Sequence, residues 1–117
     1  MRVKITIHSL IRYAERIENA ISKEQSDILS NKLSTKRIKA KDVINIISKK
    51  TKLSHSKLVD KITSEVRRSK LKNFAYRKSD EEIRLLEGVI YVCKYKYEED
   101  TMVLLTVYDR RKFKPNY

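Results

Sequence analysis

The chain has a single glycine, Gly88, a single proline, Pro115, a single cysteine, Cys93, and no tryptophan in 117 residues. Each scarcity excludes something. One glycine cannot build a glycine-rich phosphate cradle, so nucleotide binding of that kind is excluded. One cysteine supplies neither an internal disulfide nor a Cys-x-x-Cys metal or redox motif, and a reducing cytoplasm is the expected setting. The two histidines, His8 and His55, have no partners at ligand spacing and the acids are scattered. Neither a zinc site nor a two-metal carboxylate site is therefore expected, and no cofactor is called for. The opening MRVKITIHSL breaks its apolar run with charge every second or third residue, which predicts neither a signal peptide nor a transmembrane segment. With so little aromatic anchoring in the basic part of the chain, a membrane-surface role is not expected either.

What the chain has in excess is positive charge: 28 Lys+Arg against 15 Asp+Glu, a net of +13. Its position matters more than its size. Between Lys32 and Lys78 stand 16 Lys+Arg and three acids, Asp42, Asp60 and Glu65, while the remainder holds 12 of each sign. A field concentrated in one segment attracts and steers polyanions, and nucleic acid is the natural one, with strongly salt-dependent affinity.

A chain of this length is expected to form one domain, burying roughly two thirds of the surface its unfolded form exposes. Residues 2 to 8 alternate and suggest a short strand or extended lead-in; from about Ser9 the period becomes helical, with Leu10, Ile11, Ala14, Ile17 and Ile21 on one stripe. Ser22 and Gln25 have capping-box spacing for a second helix through about Leu33, carrying Ile28, Leu29 and Leu33. Helices are thus expected over 9–33. Residues 36–70 read as a basic helical hairpin: Val43, Ile44, Ile46 and Ile47 give one buried side, Leu58, Val59, Ile62 and Val66 the other. Ser54 caps the second helix while Leu53 staples onto Leu58.

An antiparallel sheet is expected over 73–111. NFAYR at 73–77 alternates, and Ser79 with Glu82 has capping-box spacing, but the short distance to Gly88 favours a turn and then a strand at about Ile83 to Leu86. Two strongly alternating runs follow, separated by Glu98, Glu99, Asp100 and Thr101. With Tyr97 opposite Met102, one face carries Tyr91, Cys93, Tyr95, Tyr97, Leu104, Thr106, Tyr108 and Arg110, and the other Ile90, Val92, Val103, Leu105 and Val107. The aliphatic face is the expected core, leaving tyrosines outside. Residues 112–117 read as a loose tail. The fold class is α+β.

Among groups able to do chemistry, Cys93 reads as a packed thiol and His55 as an exposed residue beside a cap. HSLIRYAER, residues 8–16, places His8, Arg12 and Arg16 four apart on one side of a helix. Metal-free RNA cleavage needs a base for the 2′-hydroxyl, an acid for the leaving oxygen and fixed cations for the charge on phosphorus. Imidazole and guanidinium suit those tasks, and Tyr108, Arg110 and Arg111 at the end of the last strand supply more of the same kind. The plainer reading is a solvated face in which Arg12 or Arg16 pairs with Glu15 or nearby acids.

HSLIRYAER at one end and LLTVYDRR at the other resemble small members of the RelE-like ribonuclease superfamily, which includes ribonuclease toxins and the phage endoribonuclease RegB. The resemblance implies helices on one face of an antiparallel sheet and RNA on the other side. It also implies polar site positions at His8, Arg12 and Arg16 on the helix and Tyr108 and Arg110 on the closing strand, and an antitoxin as a protein partner. A second stretch, KDVINIISKKTKLSHSKLVDKI at 41–62, is similar to the opening helix-turn-helix of HU-type histone-like DNA-binding proteins. That family grips DNA with β-arms rich in Arg, Asn and Pro, which this sequence lacks.

The expectation is a basic RNA-binding protein, RNA favoured over DNA, held through Lys36, Arg37, Lys39, Lys41, Lys49, Lys50, Lys52, Lys57, Lys61, Arg67, Arg68, Lys70 and Lys72. It extends to metal-independent endoribonuclease activity, with His8 as acid or base, Arg12, Arg16 and Arg110 stabilising the phosphorane, and Tyr108 orienting or protonating. The alternatives are a non-enzymatic nucleic-acid-binding protein of a mobile element that acts by occupancy, and a basic inhibitor of an acidic host protein.

Overall fold

A computed structural model describes residues 1–74 and 81–111. Four helices and five strands follow the order β1 (Arg2–Ile5), α1 (Ile7–Arg16), α2 (Lys23–Ser34), α3 (Ala40–Thr51), α4 (His55–Arg68), β2 (Lys70–Phe74), β3 (Glu81–Leu86), β4 (Val89–Lys96) and β5 (Thr101–Asp109). The architecture is α+β, helices on a mostly antiparallel sheet. The expected loose tail at 112–117 and residues 75–77 of the expected strand lie outside the described residues.

Local rules account for the helix starts. Thr6 caps α1 by accepting from the Ser9 N–H, so the helix begins two residues before Ser9 and includes His8 in its first turn. Ser22 and Gln25 form both bonds of the expected capping box on α2. Ser54 accepts from the Lys57 N–H and caps α4. In α2 only Leu29 of the three expected apolar residues is buried: Leu33 is half-buried and Ile28 exposed.

The hairpin ends earlier than expected. At Ser69 the backbone turns extended (φ −67°, ψ 153°) and its N–H bonds back to Glu65 and Val66, so Lys70 and Lys72 belong to strand β2 and not to the helices. Arg84 holds that corner through the Ser69 hydroxyl and carbonyl, each at 2.9 Å.

The strand order is β1-β5-β4-β3-β2. β2 through β5 form an antiparallel series, and β1 adds to the far edge in parallel, Ile5 beside Leu104. The lead-in is therefore a sheet strand, and the sheet is not purely antiparallel. The chain's one glycine serves the β3–β4 hairpin, whose two-residue turn has Glu87 at φ 48° and Gly88 at φ 86°, the left-handed pair that suits the strand twist.

The expected assignment of sheet faces is reversed along β4 and the first half of β5, whereas Val107 lies in the core as expected and Ile90 and Val103 are buried as well. Val89, Tyr91, Cys93, Met102, Leu104 and Val107 pack with Leu10, Ile11, Tyr13, Leu58, Ile62 and Val66 of α1 and α4 in one core, so the tyrosine-bearing face of β4 meets the helices. Two features explain the reversal. Glu65 on α4 accepts from the phenols of Tyr13 and Tyr91 and makes their burial affordable. A register shift between Val92 and Cys93 then turns Val107 inward opposite Tyr91, while Thr106 and Tyr108 pair with Val92 and Ile90 on the other face.

Candidate nucleic-acid interface

α3 and α4 are anchored along narrow apolar stripes, Val43 and Ile47 on the first, Leu58, Ile62 and Val66 on the second. Ile44, Ile46 and Val59 are half-buried beside these stripes, and the basic residues of both helices face water. All thirteen basic residues expected to bind nucleic acid, from Lys36 to Lys72, are exposed. Among the described residues one of them is in an ion pair, Lys61 with Glu18, and one other, Arg67, donates to a backbone carbonyl, that of Met1. Of the segment's three acids, Glu65 points its carboxylate at the two tyrosines and away from the lysines, which leaves Asp42 and Asp60 on the surface. A lysine-rich surface with two acids is a strong local field.

The stripe on α1 has a different character. This helix runs alongside β5, and its three basic residues meet three different environments. His8 is exposed and lies 3.5 Å from the Ser34 hydroxyl. Arg12 is bonded to Asp27 at 2.7 Å, the Ser26 hydroxyl at 3.0 Å and Glu15 at 3.2 Å. Burial acts to lower the Arg12 pKa, but the hydrogen bonds to Asp27 and Glu15 outweigh it and the net shift is upward; the same bond from Arg12, with Lys23 beside it, holds Asp27 below its ordinary value. Arg16 donates to the Val107 carbonyl at 2.9 Å, lies 3.6 Å from Glu15, and sits over the Tyr108 ring at 4.6 Å from its centroid. Both arginines thus meet Glu15, as the plainer reading of the sequence has it.

Two open clefts flank this helix. One, of about 490 Å³, is lined by His8, Arg12, Asp27, Ser30, Ser34 and Thr106 among others. The other, of about 400 Å³, is lined by Arg16, Glu15, Asn19, Tyr108 and Asp109 among others. The structure brings His8 together with Arg12, and Arg16 together with Tyr108, but His8 and Tyr108 line different clefts. Eight residues of helix separate His8 from Arg16, a rise of about 12 Å. Arg110 is exposed just past β5, its N–H on the Gly88 carbonyl, while Arg111 chelates the buried Asp109 carboxylate at 2.9 and 3.0 Å. His55 is exposed at the start of α4, and Cys93 is buried, its thiol pushed by burial to about 12. Among the described residues no three His, Cys, Asp or Glu are grouped to hold a metal ion, and no helix is long and apolar enough to cross a membrane.

Sequence reasoning missed the Tyr13–Glu65–Tyr91 network. A signal was present: Glu65 stands seven residues after Leu58 and three after Ile62, on the stripe that must be buried. An acid there needs donors, and the two phenols supply them at 2.7 to 3.0 Å. It also missed Asp27 and Ser30, whose place beside Arg12 depends on how α2 folds back on α1.

No protein-family model matches the chain, and no curated protein or solved structure matches it. The RelE-like and HU-type resemblances rest on the residues quoted for them.

Proposed function

We propose that the protein binds the phosphate backbone of nucleic acid, RNA ahead of DNA, on the exposed cations of residues 36–72, and that it acts by occupying the strand. One observation carries this reading: thirteen basic side chains stand exposed on one continuous segment, and among the described residues one of them is neutralised by an ion pair. Surface cations left without partners are what a polyanion needs, since each phosphate they neutralise releases condensed counterions. RNA is placed ahead of DNA because the two ends of the chain resemble RelE-like ribonucleases and the DNA-embracing arm of HU-type proteins has no counterpart among the described residues.

Metal-independent cleavage is the second reading, favoured by the shared cleft of His8 and Arg12. Tyr108, the second proton-transfer group that reading expects, lines the other cleft. Incubation of the whole protein with end-labelled RNA in EDTA separates the two. Occupancy predicts intact RNA and a salt-sensitive mobility shift that survives His8→Ala. Products ending in 2′,3′-cyclic phosphate, lost in His8→Ala and Arg12→Ala, would replace it with the nuclease. A complex with an acidic protein that resists nuclease and high salt would replace both with the inhibitor.

A further inference from the structure

The exposed cations of the helical hairpin stand in two rows. On α3 and its C-cap, Lys41, Asn45, Lys49 and Lys52 are exposed and spaced four, four and three apart; on α4, Lys57, Lys61, Ser64 and Arg68 are exposed and spaced four, three and four apart. With 3.6 residues per turn, each set stays within about 80° of the helix circumference and runs roughly 16 Å along the water-facing side. The opposite side of each helix is buried, through Val43 and Ile47 on α3 and Leu58, Ile62 and Val66 on α4. The rows are therefore fixed to the frame of the fold. Among the described residues one row member, Lys61, is answered by an acid, Glu18.

Fixed rows of cations match a ligand whose phosphates are also fixed. A double helix presents such a lattice and loses little freedom on binding, whereas a flexible single strand must first be ordered. Single-strand sites offset that ordering by stacking bases on aromatic side chains. Between Lys36 and Lys72 there is no Phe, Tyr or Trp. Tyr97 is 79% exposed just past β4, but Glu98, Glu99 and Asp100 follow it directly and repel a phosphate chain. The type of cation points the same way. Ten of the thirteen are lysine, which holds a phosphate as a point charge, and three are arginine, whose plane stacks on bases and grips them through paired bonds. In duplex RNA the base edges of the major groove are too deep for side chains to read, so a surface that holds backbone alone gives up nothing there.

We propose that the α3–α4 hairpin binds the double-stranded form of RNA, laying its two rows along the backbone and reading no base. This inference rests on the nucleic-acid reading above, and one experiment separates the two. Anisotropy of the full-length protein is measured at about 100 mM salt with a labelled, unstructured RNA of about 20 nucleotides, with the same strand annealed to its complement, and with a second duplex of the same composition in scrambled order. The duplex should bind at least about tenfold more tightly than the single strand, and the two duplexes should agree within about twofold. Lys41→Gln/Lys57→Gln, which removes one cation from each row, should bring the preference for duplex below about threefold, while Lys70→Gln/Lys72→Gln on β2 should leave it in place. Equal affinity for strand and duplex, tighter binding of the strand, or a preference left intact by the row variant would overturn the duplex proposal while phosphate binding stands. A tenfold difference between the two duplexes would overturn it as well, by showing that bases are read. No binding of any probe at low salt would instead remove the nucleic-acid reading itself.

Discussion

Arg16 and Tyr108 are joined to each other: the guanidinium sits 4.6 Å from the centre of the phenol ring and donates at 2.9 Å to the carbonyl of Val107, the preceding residue. Just before this point the parallel strand β1 ends, having covered the β5 edge from Thr101 to Leu104. Arg16 continues that cover with a side chain. Two members of the suspected catalytic set therefore have a structural occupation in the folded chain, closing a strand edge.

Arg16→Ala should accordingly lower stability by about 1–3 kcal/mol, from a lost charged hydrogen bond and a cation–π contact, while changing RNA affinity less than about threefold. Thermal melts and binding isotherms on one preparation check it. An unchanged melting temperature with a large loss of RNA binding would show that Arg16 serves the ligand instead.

Glu65 ties three elements together, α4 to α1 through Tyr13 and α4 to the sheet through Tyr91. Tyr91→Phe and Tyr13→Phe should each cost about 1–2 kcal/mol, and Glu65→Leu about 2–4 kcal/mol, because it strands two buried phenols at once. Denaturant midpoints of the three single variants and of Tyr13→Phe/Tyr91→Phe with Glu65→Leu decide the matter. In that triple variant the cost should fall below that of Glu65→Leu alone, since no buried hydroxyl is left unpaired.

The same region makes the protein sensitive to alkali. Burial, then hydrogen bonding to Glu65, raises the Tyr13 and Tyr91 pKa values, and burial pushes the Cys93 thiol to about 12. The unfolded chain releases these protons near the ordinary thiol and phenol values, whereas the folded chain keeps them. Above about pH 9 the folded state binds more protons, and stability falls as pH rises, by up to about 1.4 kcal/mol per pH unit for each group. The urea midpoint should drop between pH 8.5 and 10.5, with a shallower drop in Tyr91→Phe. Constant stability across that range would contradict the burial of these groups.

Glycine scarcity has left its own mark on stability. Asn19, Lys36, Lys52, Glu87 and Asp100 all adopt the left-handed conformation that glycine fills most easily, at φ from 45° to 61°. Glu87 occupies the first turn position before Gly88, where asparagine is preferred. Glu87→Asn should raise the denaturation midpoint, by about 0.5–1 kcal/mol, without touching any basic residue. A loss of stability would mean that the Glu87 side chain has a partner of its own.

Most helix boundaries were legible because they obey short-range rules. Ser22, Gln25 and Ser54 cap as their spacing predicts, and of the expected stripes of α3 and α4 Val43, Ile47, Leu58, Ile62 and Val66 are buried while Ile44, Ile46 and Val59 are half-buried. Three things were not legible. The parallel pairing of Arg2–Ile5 with a strand a hundred residues later is a long-range event that alternation cannot reveal. The choice of sheet face turned on one acid, Glu65, on a different element, and on a one-residue shift at Val92, which moves every later side chain across the sheet. The α1 stripe was correctly placed on one helix side, yet its members were divided by neighbours that no local pattern names: Asp27 for Arg12, Val107 and Tyr108 for Arg16.

The central claim is that the cations of residues 36–72 form a phosphate-binding surface, and the salt dependence of RNA binding tests it most directly. Anisotropy of a labelled single-stranded RNA is measured from 50 to about 300 mM salt for the wild type, for Lys49→Glu/Lys50→Glu/Lys57→Glu, and for Arg2→Glu/Lys4→Glu/Lys96→Glu, a control with the same change in net charge on exposed strand positions. The wild type should lose affinity steeply with salt. The hairpin variant should bind at least about 30-fold more weakly with a slope shallower by about 2, and the control should stay within about threefold of the wild type. Equal losses in the two variants, or no binding by the wild type at low salt, would contradict it.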